Sequence, residues 1–143
     1  MTSHEILNKS IANFAVLYFK LHHFHWFVSG PGFYHYHKLF EELYDETTEN
    51  LDQFAERLLA IGGTPASTLK EYLNLSTISE GGNEKLPVEI VKVLSEDYGK
   101  IRDDLKAGIG VCESEGDYPT ADMFIGTIEA MEKHLWMMRQ AAS

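Results

Sequence analysis

The sequence has very little cysteine and no long apolar run, and these two absences narrow the classes of protein that it fits. Cys112 is the one cysteine among 143 residues, which excludes an internal disulfide and a cysteine-cluster metal site. A single thiol is also typical of a reducing compartment. No run of about 18 apolar residues is present, and the amino terminus has no basic segment followed by an apolar one. We therefore expect a cytoplasmic protein that is neither exported nor membrane-spanning.

Basic residues are also scarce. The chain has 12 lysines and arginines against 22 aspartates and glutamates, a formal net charge of -10. Nucleic acids and anionic lipids are bound by basic surfaces, so we do not expect the surface as a whole to attract either. An acidic surface concentrates cations instead. The alternative is that the acidic composition serves only to keep the protein soluble.

Apolar residues recur at alternating steps of three and four, which predicts long helices and no strand. The first helix covers residues 2–28, with Thr2 and Glu5 in capping-box spacing. The second opens near Phe33 and closes at the glycine pair 62–63, where Gly62 is expected to be the left-handed cap.

Two further helices follow a long connection. The third begins near Pro87, which suits a first helical turn, and ends around residues 115–116. The fourth starts in the turn at residues 117–120, and residues 66–73 could form a short helix within the connection. The prediction is an all-α fold: one four-helix-bundle domain over residues 1–143, with an extra short helix between helices two and three.

Five side chains in the middle of the chain are candidate metal ligands. They are His25, His37, Glu41, Asp52 and Glu56. Ring nitrogens and carboxylate oxygens suit iron, zinc or manganese, whereas copper and iron-sulfur sites prefer thiolate or thioether ligands. Taken alone, a histidine on a buried stripe is more often a hydrogen-bonded core residue than a ligand. Acidic residues on a long helix are usually just solvated.

Helix geometry limits how these ligands can meet. At about 100° per residue, the four on the second helix share one stripe beside its apolar seam. His37 and Asp52 are nevertheless about 22 Å apart along the axis, so one chain cannot bring both ends of the stripe to the same ion. The chain also lacks the Glu-x-x-His motif of the usual di-metal bundle. A second copy related by a two-fold axis would create shared sites, and His25 could fold back towards His37.

The residues that carry this pattern resemble a known family. The run from His25 and Trp26 through Ser29 and Gly30 to His37, with the segments 51–57 and 61–63, is similar to the signature of the Dps-like miniferritins. The similarity extends through essentially the whole chain, including the short middle helix and the ending at residues 134–136. It implies a ferritin-like fold and a hollow spherical homododecamer with ferroxidase centres at two-fold interfaces.

The resemblance also implies the ligands and the chemistry. His25, His37 and Glu41 of one subunit would bind ferrous iron together with Asp52 and Glu56 of its partner. The family often has Asp where this chain has Glu41, a longer side chain of the same charge. The implied activity is oxidation of ferrous iron, preferentially by hydrogen peroxide, with storage of the ferric mineral and protection against oxidative damage.

Further residues have roles implied by the same similarity. Trp26 is a candidate electron donor, with a packing role as the alternative. The candidates for acidic iron-entry pores are Asp117 and Asp122, although helix capping explains them equally well. The candidates for mineral nucleation are Glu42, Glu46 and Glu49, whose alternative is a solvated face.

Two other functions stay open at this point. Zinc could occupy the same ligands in a sequestering or structural protein without turnover. The third hypothesis is a DNA-compacting protein, since some family members bind DNA through a Lys-rich terminal extension. Near its ends this chain has only scattered basic residues, Lys9, Lys133 and Arg139, so direct DNA binding is not expected.

Overall fold

The structure, a computed structural model, describes residues 1–143. It contains five helices and no strand: α1 (Ser3–Phe27), α2 (Phe33–Ala60), α3 (Leu69–Leu75), α4 (Pro87–Ser114) and α5 (Tyr118–Ala142). The long helices pack as two pairs, α1 with α2 and α4 with α5, and α1 also contacts α4 and the short α3. The predicted all-α four-helix bundle with an extra helix in the long connection is confirmed.

Most helix boundaries fall where the local sequence signals place them. Thr2 caps α1, with its side chain accepting a hydrogen bond from the Glu5 backbone N–H. Gly62 has φ +88° after the end of α2, and Pro87 stands at the first turn of α4. The predicted caps and starts of the long helices are therefore confirmed.

The short helix α3 is displaced from its predicted position. It spans Leu69–Leu75 rather than residues 66–73. Thr68 and Glu71 form a capping box, in which the Thr68 hydroxyl accepts from the Glu71 N–H at 3.2 Å and the Glu71 carboxylate accepts from the Thr68 N–H at 3.2 Å. This reciprocal cap satisfies two free N–H groups and sets the helix start at Leu69.

The core is built from the inward faces of the four long helices. Phe14 of α1 meets Phe54 of α2 edge-on at a ring-centroid distance of 5.0 Å. Phe54 in turn stacks against Phe124 of α5 at 5.7 Å. These fully buried rings join three helices, so they pack the α2 face that lies beside the candidate ligands against α1 and α5.

A buried ion pair fixes α1 to α4. The Lys20 ammonium lies 2.7 Å from Oδ2 of Asp97 and also donates a hydrogen bond to the carbonyl of Ser79 at 2.7 Å. Burial raises the pKa of Asp97 above its ordinary value, and Lys20 only partly opposes this effect. The pair therefore ties the long connection to the bundle, with a desolvation cost that offsets part of the gain.

The outer surface of a single chain retains large apolar side chains. Phe19, Leu69 and Leu73 are each more than half exposed and line an open groove of about 360 Å³ between α1 and α3. No helix has the combined length and apolar character that crossing a bilayer requires.

Candidate metal centre

The two candidate histidines are brought together by the turn between α1 and α2. Residues 28–32 make this turn, in which Gly30 and Gly32 have φ of +95° and +84°, a backbone region that favours glycine. The imidazole of His25 in the last turn of α1 stacks on that of His37 in the first turns of α2, with centroids 3.7 Å apart. The sequence expectation that His25 folds back towards His37 agrees with this contact.

Reciprocal hydrogen bonds hold the two rings. Nδ1 of His25 lies 2.5 Å from the carbonyl oxygen of His37, and Nδ1 of His37 lies 2.7 Å from the carbonyl oxygen of His25. A carbonyl can only accept, so each Nδ1 must carry a proton and donate it. In the neutral imidazole this leaves Nε2 with a free lone pair, the usual arrangement of a metal-binding histidine.

The three candidate carboxylates lie on the exposed side of α2. Glu41 follows His37 by one turn, while Asp52 and Glu56 lie towards the other end of the helix, and all three are exposed. Asp52 and Glu56 border an open depression of about 460 Å³. No group of three or more His, Cys, Asp or Glu side chains within the chain is placed to hold a metal ion.

An aromatic group borders the histidine pair. Tyr44 on α2 is half-buried, and its ring lies perpendicular to that of His25 with centroids 5.5 Å apart. His22 stacks flat on Tyr44 at 3.7 Å and is anchored by a 2.9 Å hydrogen bond from Nδ1 to the Tyr18 carbonyl. The spacing of His22, Tyr44 and His25 on two helices gave no signal of this contact, which depends on how α1 and α2 cross.

Trp26, the predicted electron donor, has a different environment. Its side chain is 65% exposed, and its ring lies 5.5 Å from His22 in a tilted arrangement. Although Trp26 follows His25 directly in the sequence, it is Tyr44 and not Trp26 that packs against the His25 ring.

The predicted nucleation residues do not share one environment. Glu42 and Glu49 are exposed, whereas Glu46 is half-buried. The carboxylate of Glu46 lies 2.5 Å from Nε2 of His134 on α5, a partner that sequence reasoning missed because it is 88 residues away. This pair borders a cleft of about 740 Å³ between α2, α4 and α5.

The two predicted pore residues, Asp117 and Asp122, also lie in different environments. Asp117 caps α5, accepting hydrogen bonds from the Thr120 backbone N–H and hydroxyl at 3.1 and 2.6 Å, and it forms an ion pair with Arg57. Burial pushes the pKa of Asp117 up, but the hydrogen bonds from Thr120 and Arg57 outweigh it and leave the pKa below its usual range. Asp122 is exposed.

Comparison with known proteins gives consistent results. The sequence matches the family model of ferritin, described as a ferritin-like domain, over residues 4–143. It is 43% identical over 135 residues to DNA protection during starvation protein 2 of Bacillus anthracis, covering 94% of this chain and 92% of that protein. The crystal structure of Dps from Staphylococcus aureus has a TM-score of 0.96 at 40% identity, covering 99% of this chain and 95% of that chain.

Two solved structures of Listeria innocua Dps are also similar. Each is a mutant with one histidine replaced by glycine, and they give TM-scores of 0.96 and 0.94 at 36% and 37% identity. They cover 99% and 98% of this chain and 96% and 92% of their own chains. The two replaced histidines are 12 positions apart in that protein, the interval that separates His25 from His37 here.

Proposed function

Because this chain belongs to the ferritin-like family and, within it, to the Dps proteins, we propose that it oxidises ferrous iron at sites shared between two subunits. The ferric product is stored as mineral inside a hollow homododecamer. The family is associated in general with iron storage and with protection of DNA. In this proposal, DNA is protected chemically, because iron and peroxide are removed together before they form hydroxyl radicals.

One observation carries the proposal. The stacked His25 and His37 imidazoles have both Nδ1 protons donated to carbonyl oxygens, so both Nε2 lone pairs are available without rearrangement. A hydrogen bond from the distal ring nitrogen fixes the orientation and raises the basicity of a metal-binding histidine. Stacked core histidines without a metal role would not need both Nε2 atoms free of protein partners. The histidine interval shared with the Listeria innocua mutants supports the same assignment.

The arrangement of the carboxylates supports a shared site. Glu41 lies one turn after His37, but Asp52 and Glu56 are several turns away on the same helix. An antiparallel second α2, related by a two-fold axis, would bring Asp52 and Glu56 of one subunit to His25, His37 and Glu41 of the other, and would do so twice. The exposed apolar groove formed by Phe19, Leu69 and Leu73 is a surface that such a partner would cover.

The ligand set suits ferrous iron as substrate. Two neutral nitrogens and three carboxylates favour the ferric product over the ferrous reactant, because Coulomb attraction grows with the charge of the ion. A mixed shell with few protein ligands leaves positions open for the oxidant. Hydrogen peroxide takes two electrons and two protons to become two waters, so two ferrous ions are oxidised for each peroxide consumed. Zinc, with similar ligand preferences, would compete for the same side chains.

The remaining predicted residues have subsidiary roles in this proposal. Glu42 and Glu49 offer exposed carboxylates for mineral nucleation, and Glu46 would act together with its partner His134. Asp122 is free to line an iron-entry pore. Asp117 would line a pore only through the oxygen lone pairs that Thr120 and Arg57 do not already occupy. Trp26 remains a candidate electron donor.

The test is an anaerobic titration of the full-length protein with ferrous iron followed by peroxide, with light scattering to give the particle mass. Glu56→Ala should abolish rapid oxidation while the dodecamer still assembles, because only a ligand oxygen is lost. Gln53→Ala, an exposed position one turn earlier on α2, should oxidise iron at the wild-type rate.

Three results would contradict the proposal. A Glu56→Ala protein that oxidises iron normally would refute the ligand assignment, and a wild-type protein that remains monomeric would refute the shared site. Metal-dependent stability without any turnover would indicate a zinc-sequestering protein instead.

A further inference from the structure

The cleft between α2, α4 and α5 contains donor atoms of a different kind from those of the candidate metal centre. His134, Met137 and Met138 lie within about one turn of α5, and all three line this cleft of about 740 Å³. Residues at the spacing i, i+3 and i+4 are neighbours on one face of a helix. Long side chains on a helix also lean back towards its N-terminus. The two thioethers therefore lean over the turn that holds His134.

The imidazole of His134 is oriented by a carboxylate. Its Nε2 lies 2.5 Å from Oε2 of Glu46 on α2, and the buried ring of Tyr98 on α4 stands nearly perpendicular to it with centroids 5.9 Å apart. An ionised carboxylate can only accept, so Nε2 carries the proton, and in the neutral ring Nδ1 has the lone pair. No group of the chain forms a hydrogen bond with Nδ1. A histidine whose other nitrogen donates to a carboxylate is the usual arrangement of a metal ligand.

The donor atoms and the charges in the cleft favour a soft cation. Cuprous ions prefer thioether sulfur and also bind imidazole, whereas hard ions prefer carboxylate and water. The side chain of Met137 is 49% exposed although it is apolar, whereas Met138 is 5% exposed. The charged side chains that line the cleft are Glu42, Glu46 and Lys133. Two carboxylates against one ammonium leave a negative balance, which attracts a cation.

We propose that this cleft is a second metal site, which binds the cuprous ion through Nδ1 of His134 and the sulfur atoms of Met137 and Met138. Glu46 is a positioning residue, since it holds the imidazole in the tautomer that leaves Nδ1 free. All three ligands come from one helix of one chain, so the site needs no residue of a second copy. It is therefore independent of the shared iron site and does not rest on the proposed function.

The first experiment observes the thioethers directly in the assembled protein. The methionine methyl groups are labelled with carbon-13, and silver(I) serves as a redox-inert ion with the same preference for sulfur. The chain has five methionines, whose signals are assigned with Met→Leu variants: Met1, Met123, Met131, Met137 and Met138. We expect the signals of Met137 and Met138 to shift together and to saturate at one silver ion per subunit. Those of Met123 and Met131 on the same helix should not move.

The exposed Met1 is an internal control for an isolated thioether, since its side chain is 66% exposed and lies outside the helices. Its signal should shift only at higher silver concentrations than those that saturate Met137. Simultaneous shifts of the two signals would show that the cleft binds silver no better than a single sulfur, and would overturn the inference. Unmoved signals of Met137 and Met138 would overturn it as well.

Matched variants test the ligands and the positioning residue. Cuprous affinity is measured anaerobically by competition with a chromophoric chelator. Met137→Leu, a change of similar volume, should abolish tight binding, and Met123→Leu should not alter it. Glu46→Ala should weaken binding about 10- to 100-fold, while Glu46→Gln, which retains an accepting oxygen, should restore most of the affinity. Light scattering should show an unchanged particle in each case.

The outcomes keep this site apart from the iron site. Tight cuprous binding that survives Met137→Leu would refute the inference. Met137→Leu should oxidise ferrous iron at the wild-type rate, because the variant changes no proposed iron ligand. If the wild type failed to oxidise iron, the proposed function would fail, whereas the methionine signals and the cuprous affinity would still decide the inference.

Discussion

Arg57 near the end of α2 donates a hydrogen bond from Nη2 to Oδ1 of Asp117, 2.9 Å away at the start of α5. The same guanidinium donates from Nε to the Thr120 hydroxyl at 2.8 Å. Thr120 in turn donates its backbone N–H and hydroxyl to the two oxygens of Asp117. The Asp117 carboxylate is thus held by three groups of its own chain, and the cluster fastens α2 to α5.

Replacing Asp117 should destabilise the subunit. Asp117→Ala removes the α5 cap and leaves Arg57 without its partner, so we expect a loss of about 1 to 3 kcal/mol in the free energy of unfolding. Thermal denaturation followed by circular dichroism measures it. The control is Asp122→Ala, which removes an exposed carboxylate from the first turns of the same helix and should change the stability by less than about 0.5 kcal/mol. Equal stability of the two variants would show that the Arg57 cluster contributes little.

The same carboxylate makes the stability depend on pH. The pKa of Asp117 is lower in the folded protein than its usual value, so the unfolded chain binds the proton more readily. The contribution is fully present above the ordinary aspartate pKa of about 4 and is lost as pH falls through the lowered folded value. The gap in unfolding temperature between the wild type and Asp117→Asn should therefore shrink as the solution is acidified through this range. A gap that stays constant would contradict the prediction.

Gly108 marks a close approach of α4 to its neighbours. A Cβ at this position would lie 2.8 Å from Cε2 of Phe124 and 3.2 Å from Cγ2 of Ile6, both fully or largely buried. Gly108→Ala should therefore cost about 1 to 3 kcal/mol through overpacking, despite the better helix propensity of alanine. Gly110→Ala is the matched control on the same helix, because nothing lies within 4 Å of its Cβ position. It should stabilise the subunit by up to about 1 kcal/mol, and chemical denaturation of both variants measures the difference.

The protein should not bind DNA directly. Besides the net charge of -10, five basic side chains already form ion pairs with carboxylates: Lys9, Lys20, Arg57, Arg102 and Lys106. We expect no gel shift of double-stranded DNA at low salt, where phosphate contacts are strongest, in metal-free buffer. Repeating the assay with ferrous or zinc ions tests whether bridging cations change the result. A tight complex in the absence of metal would refute the expectation.

The sequence predicts the helices well because their caps are local. Thr2, Gly62, Pro87 and Asp117 each mark a boundary through contacts within a few residues. The predicted start of α3 was wrong by three residues, although the capping-box spacing of Thr68 and Glu71 marks the observed start.

The geometry of the candidate metal centre can be predicted from local sequence only in part. The interval from His25 to His37 predicts that the two histidines meet across the turn, since helix periodicity and a short connection fix their approach. The hydrogen bonds between each ring and the other residue's carbonyl depend on the backbone angles of Gly30 and Gly32, which residue types do not specify. The contacts of Glu46 with His134 and of Tyr44 with His22 depend on how whole helices cross, and no local pattern encodes those angles.

The mutual anchoring of His25 and His37 makes the positions of both imidazoles depend on the same five turn residues, 28–32. The Ser29 N–H, bonded to the Lys85 carbonyl at 2.9 Å, clamps that turn to the segment preceding α4. Fraying of the last turn of α1 would therefore release the two rings simultaneously rather than one after the other. Under the proposed function, iron capture therefore depends on backbone order at a helix junction, and one residue inserted there is expected to abolish it while every proposed ligand side chain is retained.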